Sequence, residues 1–255
     1  MMTLSEMAVD VLTTADGREK TAKSHAHAAA WRAAREAGTP IEIGSASPPL
    51  RPSRPDRPEL LDPREVPKRK PGTPRGRIAL LHAVAHIELN AVDLHWDIIA
   101  RFTEVPFPPG FYDDWVRAAD EESKHFNLMC DCLEELGSHY GALPAHAGMW
   151  RAAEDTADDL MGRLAVVPMV LEARGLDVTP ATRDRVASSG DSRGAAILQR
   201  ILDDEIRHVS LGTKHFSRVA AARGENPPEL WRKLVESHFA GVIKPPVNDS
   251  ARRSA

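Results

Sequence analysis

EESKHF at residues 121–126 and DDEIRHVSLG at residues 203–212 decide the reading of this chain. Each contains Glu-x-x-His, as Glu122 with His125 and as Glu205 with His208. That spacing is about one helical turn, so Glu and His project from one face. Each pair follows a lone glutamate set in an apolar helical pattern: Glu88 before the first and Glu172 before the second. Glu88 to Glu172 is 84 positions, while Glu122 to Glu205 and His125 to His208 are each 83. A single Glu-x-x-His would arise by chance in a chain this rich in Glu and His. Two copies at the repeat interval, each with its upstream glutamate, are much harder to obtain by accident. One Glu from each of two helices and one Glu-x-x-His from each of two others is the ligand set of a di-iron or di-manganese site in a four-helix bundle.

The spacing assigns roles. Glu88 and Glu172 are terminal carboxylates, Glu122 and Glu205 bridge two ions, and His125 and His208 each bind one. Two similar helical hairpins would set these groups about a pseudo-twofold axis. Four converging carboxylates without cations would repel and be severely desolvated. Mixed oxygen and imidazole ligation suits two Fe ions, with Mn an alternative, better than a thiolate-seeking metal. Asp204 is expected to orient a ligand histidine, with Arg207 balancing charge; Glu121 and Lys124 fit a surface salt bridge equally well. His95 and His215 lie two turns beyond Glu88 and His208. They either line a path to the site or are satisfied core histidines. His82 and His86 turn away from Glu88.

The totals set bounds. The 255 residues, 42% hydrophobic and 27% charged, can bury a large core. A net charge of −4 lacks the basic footprint of a dedicated nucleic-acid binder. Cys130 and Cys132 are two apart on a predicted helix and point in different directions, which disfavours a disulfide. No basic leader and no bilayer-length apolar run is visible, so a cytoplasmic protein with no membrane partner is expected.

In chain order, residues 1–39 read as a helical N-terminal extension, with one helix over 3–37. Residues 40–76 carry ten prolines, which excludes helix and central strand. Between Arg51 and Arg77 this segment has nine Lys/Arg against four acids. It is a strap with solvated charges or a basic arm meeting phosphate, for which Lys68, Arg69 and Lys70 are the obvious contacts. Residues 77–223 form the di-metal four-helix bundle, its helices running from about 75 to 102, 110 to 140, 150 to 174 and 192 to 223. Pro168 should kink the third, Gly175 should stop it, and Thr179–Pro180 should open a short helix. Residues 224–255 hold a C-terminal helix over 227–241 and a loose tail. The weak point is Glu172, between Pro168 and Gly175: this ligand helix is expected to move and to border substrate or oxygen entry.

AHIELNAVDL (85–94), EESKHF (121–126), LEARGLDVTP (171–180) and DDEIRHVSLG (203–212) resemble a bacterial ferritin-like family, the domain of unknown function 455. The likeness extends over roughly residues 40–248, through the proline-rich lead-in to the KPP segment at 244–246. It implies an all-α, ferritin-like di-metal fold with all six ligand positions matched, and supplies no reaction. More distantly the pattern is similar to a bacterial tRNA hydroxylase, ribonucleotide reductase small subunits and bacterial monooxygenases. These analogies point to an O2-activating oxidase or hydroxylase of an unidentified small-molecule or nucleoside substrate, with an electron donor and a homodimer both open. The competing readings are a ferroxidase or iron-sequestering protein, and an RNA-binding module with a structural bundle.

Overall fold

Proline spacing and cap residues divide the chain into helices and one long non-helical strap. The computed structural model describes residues 2–67, 73–239, 241 and 245–255. Lys68, Arg69, Lys70 and Lys244 lie outside the described residues. The all-α class holds: among the described residues every regular element is helical, beside one isolated parallel bridge between Leu60 and Ala145. The described chain forms two compact units, one of residues 2–67 and 74–147, the other of residues 73, 148–239, 241 and 245–255.

In the first unit, α1 (Leu4–Leu12) and α2 (Gly17–Glu36) replace the single helix expected over 3–37. The break has a local cause. Thr13 and Thr14 turn their hydroxyls back onto the carbonyls of Val9 and Asp10, at 2.8 and 2.7 Å. Asp16 then caps α2 by accepting from the Glu19 amide. Such side chains favour helix ends over helix interiors. A nine-residue helix is marginal alone, and the strap secures both ends of α1. The amides of Leu4 and Ser5 donate to the carbonyls of Glu42 and Ile43, and the Ser53 amide donates to Leu12. Residues 42–53 therefore run alongside α1.

The unit is built on a hairpin of α3 (Pro74–Arg101) and α4 (Pro109–Glu135), with α1 packed on α3 and α2 on α4. Trp96 in α3 donates to Ser24 of α2, and Trp31 of α2 donates to Asp113 of α4, each at 2.8 Å. Helix α4 stops at Glu135, short of the expected 140. Gly137 takes φ +74°, and the Ser138 amide returns to the Leu133 carbonyl, a glycine-terminated end. Tyr140 is thereby freed to fold back onto α3.

In the second unit, α5 (Gly148–Asp155) and α6 (Leu160–Val166) are separated at Thr156–Asp159, with Asp159 capping α6. A π-helical turn at Val167–Glu172 leads into α7 (Ala173–Ser188). Pro168 loosens the helix as expected: lacking an amide proton, it sits where the ladder widens. Two other expectations fail. Gly175 does not end the helix, and Thr179–Pro180 starts no new one; α7 runs through both. Pro180 has no N–H for the carbonyl of Leu176, and the side-chain amide of Asn248 supplies the donor at 3.1 Å. Asp191 caps α8 (Ser192–Ala222), and α9 (Pro227–His238) packs on α6.

The tail is not loose. Residues Asp249–Ser254 form α10, whose Ala251 joins a buried cluster with Ala173, Leu176, Leu202 and Val209. Arg252 grips Asp177 with two bonds of 2.8 and 2.7 Å, and the Asn248 amide adds a third at 2.9 Å. Polar composition hid this docking, because two of the polar residues, Asn248 and Arg252, bond to α7.

Two predictions follow from this unit. Burial raises the Asp177 carboxyl, but bonds from Arg252 and the Asn248 amide outweigh it and hold the pKa below its ordinary 3.8. A depressed carboxylate stabilises above its ordinary pKa and loses that contribution as pH falls through the lowered value. Docking of α10 is therefore full at neutral pH and is lost in acid; Arg252→Ala should release it at neutral pH at a cost of about 1–3 kcal/mol. Amide exchange at Ala251 reads both effects. At Gly212 of α8, an added Cβ would lie 2.6 Å from two ring carbons of Pro168. Since a proline ring cannot swing aside, Gly212→Ala should cost roughly 1–3 kcal/mol, seen as a lowered Tm with retained helicity.

Candidate metal centre

Glu88 stands on α3 among Leu81, Ala85, Leu89, Ala91 and Val92, all buried. The facing helix α4 brings up Glu122 and His125, both 0% exposed. His125 Nδ1 lies 3.2 Å from Glu88 Oε2 and 3.3 Å from Glu122 Oε2. One ligand atom from each of the three falls within 4.8 Å of the others, close enough to share a metal ion. Burial, and then the neighbouring Glu122 charge, push the Glu88 carboxyl up to about 8. A cation held by Nδ1 and the two oxygens would answer both carboxylates at once. The donor set is two hard oxygens and one imidazole nitrogen, which fits iron, manganese or zinc in chemistry.

The second unit carries the matching groups. On α8, His208 Nδ1 is 3.8 Å from Glu205 Oε2, and both residues are buried. Glu172 closes the π-turn and is also buried. Among the described residues, no group of three metal-ligating side chains within 4.8 Å of one another includes Glu172. All six sequence-predicted residues are buried, three in each unit.

The flanking charges sort differently from the ligands. Asp204 pairs with Arg207 at 2.5 Å and lies 3.8 Å from Arg200. Glu121 pairs with Arg117, while Lys124 bonds Asp120 and not Glu121. Asp120 also takes His25 and Arg32, tying α2 to the ligand helix. Burial raises its carboxyl, but the bonds from His25, Lys124 and Arg32 outweigh that and hold it far below the usual range. His95 and His215 are buried, His95 tilted against Trp115 with ring centroids 5.3 Å apart. Cys130 and Cys132 are free thiols.

Sequence reasoning passed over a second polar stripe on α3. His82, His86, Asn90, Asp93 and Asp97 are all buried, on the face turned from Glu88. His82 Nε2 accepts from the Gly141 amide at 2.9 Å and its ring stacks on Tyr140. Asp93 takes a salt bridge from the buried Lys20, and Arg54 of the strap reaches Asn90 at 2.7 Å and Asp93 at 3.4 Å. Arg101 is held by Asp97 and donates to the strap carbonyl of Pro49. The i, i+4, i+8, i+11 and i+15 spacing of these residues was the available signal. In the strap, Arg54 thus points inward to α3.

These features define an all-α protein with a buried carboxylate–histidine cluster able to hold a metal ion. The chain belongs to the family described as "Protein of unknown function (DUF455)", whose profile matches residues 13–255. It is similar to an uncharacterized protein of Haemophilus influenzae, 41% identical over 206 residues, covering 79% of this chain and 72% of that protein. No solved structure gave a significant match. Among the described residues no helix is long and apolar enough to cross a membrane.

Like charges buried together destabilise a metal-free centre. Glu122→Gln should therefore leave the metal-free Tm unchanged or raised. It should also abolish the metal-induced rise, worth about 3 kcal/mol at a hundredfold excess over Kd. Thermal melts with and without Fe(II) or Mn(II) measure both.

Proposed function

We propose that this chain is a ferritin-like di-iron carboxylate protein that activates O2 to oxidise or hydroxylate a small-molecule or nucleoside substrate. The observation that carries the reading is the buried Glu88–Glu122–His125 cluster, repeated in sequence as Glu172–Glu205–His208. In this reading Glu122 and Glu205 would be the bridging ligands, Glu88 and Glu172 the terminal carboxylates, and His125 and His208 one imidazole for each ion. Two iron(II) ions supply the electrons that reduce dioxygen.

The chain's own residues do the rest. Four carboxylates neutralise the charge of two divalent ions, and His125 and His208 each present Nδ1. The apolar residues around Glu88 keep bulk water from that half-site, which strengthens the electrostatics within it. Glu172 ends a π-turn, where a widened ladder lets a carboxylate shift without breaking the helix; substrate or oxygen enters on this side. Manganese fits the same donors.

Metal analysis of protein from its own host, then anaerobic Fe(II) loading and exposure to O2 under spectroscopy, tests the reading. Two ions per chain and consumption of O2 are expected. Glu122→Ala and Glu205→Ala should each lose both ions, because each bridges. Loss of one ion only would mean two independent sites. Iron held well beyond two per chain in a large assembly would replace the oxidase with storage. Unchanged metal content in Glu122→Ala would end the proposal.

A further inference from the structure

The polar stripe on the other face of α3 opens into a cavity of about 500 Å³, lined by strap residues 54–60 together with His86 and Tyr140. That volume suits a small molecule. We propose that this cavity is a second binding site, for a small molecule carrying an oxyanion and a hydroxyl or amine donor. It is independent of the metal-centre reading.

Charge argues for the anion. Behind the cavity lie two buried or largely buried cations, Lys20 and Arg54, for one buried carboxylate, Asp93. The group therefore carries an excess positive charge, which is costly where water is scarce. Burial lowers the Lys20 pKa, Asp93 opposes this, and the charge of Arg54 adds to the lowering. Arg54 commits Nη2 to Asn90 and Asp93. Among the described residues its Nε and Nη1 make no further bond, and Arg57 on the cavity wall makes no ion pair. Two guanidinium groups with donors to spare suit a carboxylate or phosphate. The lining acids Asp56 and Glu59 are exposed, so solvent screens them far more than it screens Arg54.

Hydrogen-bond roles argue for the ligand's donor. His86 Nε2 faces the carbonyl of His146 at 3.1 Å, and a carbonyl only accepts, so Nε2 carries the proton. Nδ1 must then accept, and Tyr140 donates its hydroxyl proton to it at 2.9 Å. The Tyr140 oxygen is left as an acceptor on the cavity wall. Asn90 donates to the His86 carbonyl at 2.6 Å and accepts from Arg54, so this wall is held before any ligand arrives.

The test uses full-length, chelator-treated protein, so that no metal ion can hold the anion. Inorganic phosphate and succinate are titrated separately, followed by calorimetry and by thermal shift. Saturable one-to-one binding of at least one probe is expected. The tighter probe tells whether the site takes a phosphate ester or a carboxylic acid. Arg57→Ala, exposed and harmless to the fold, and Arg54→Gln should each weaken binding about tenfold or more. Tyr140→Phe should weaken phosphate, which keeps a P–OH donor near neutral pH, more than succinate. No saturable binding of either probe, or affinity unchanged in Arg57→Ala and in a folded Arg54→Gln, would overturn the proposal.

Discussion

A carboxylate removed from water beside a second carboxylate is the constraint on which the first unit depends. Glu88 and Glu122 meet within reach of one imidazole nitrogen, in apolar surroundings that make each charge expensive. A protonated Glu88 relieves the conflict in part, in keeping with its raised pKa. A cation relieves it fully. The rest of the unit keeps the two helices from drifting apart to relieve it by separation. Helix α2 is fastened to α4 through Asp120 and Asp113, and to α3 through Trp96 and Lys20. The strap is fastened to α3 through Arg54 and Arg101.

Helix α3 therefore has two buried polar faces with different chemistry. One ends in carboxylate and imidazole and lacks positive charge. The other gathers Lys20 and Arg54 over Asp93 and has an excess of it. A single helix can carry both because positions about 200° apart on its wheel, such as Glu88 and His86, never share surroundings. The first face is made by residues on α3 and α4 alone. The second is completed by the strap, a segment of low intrinsic order that gains its conformation from what it covers.

Much of this was legible in the sequence because it is periodic. The long helices α3, α4 and α8 show apolar stripes, and the ligand residues stand out as glutamates inside those stripes at a repeated interval. The failures were at places where a local rule was overruled by distant partners. Gly175 and Pro180 are stop signals that α7 ignores, because Asn248 supplies the missing donor and Arg252 anchors the same turn. The Thr13–Asp16 break was missed for the opposite reason: short polar side chains ended a helix that composition alone would continue. The His82–Asp97 stripe was missed because its partners, Lys20, Arg54 and Tyr140, come from elements far away in sequence.

Asn248 also has a practical meaning. Its amide completes the hydrogen-bond ladder of α7 from a position 72 residues downstream. The helix that carries Glu172 at its entrance is thus finished only when Asn248 has been made. Synthesis cannot close this part of the fold before that residue has emerged. Whatever displaces Asn248 and Arg252 is therefore felt along α7, as far as Glu172 at its entrance.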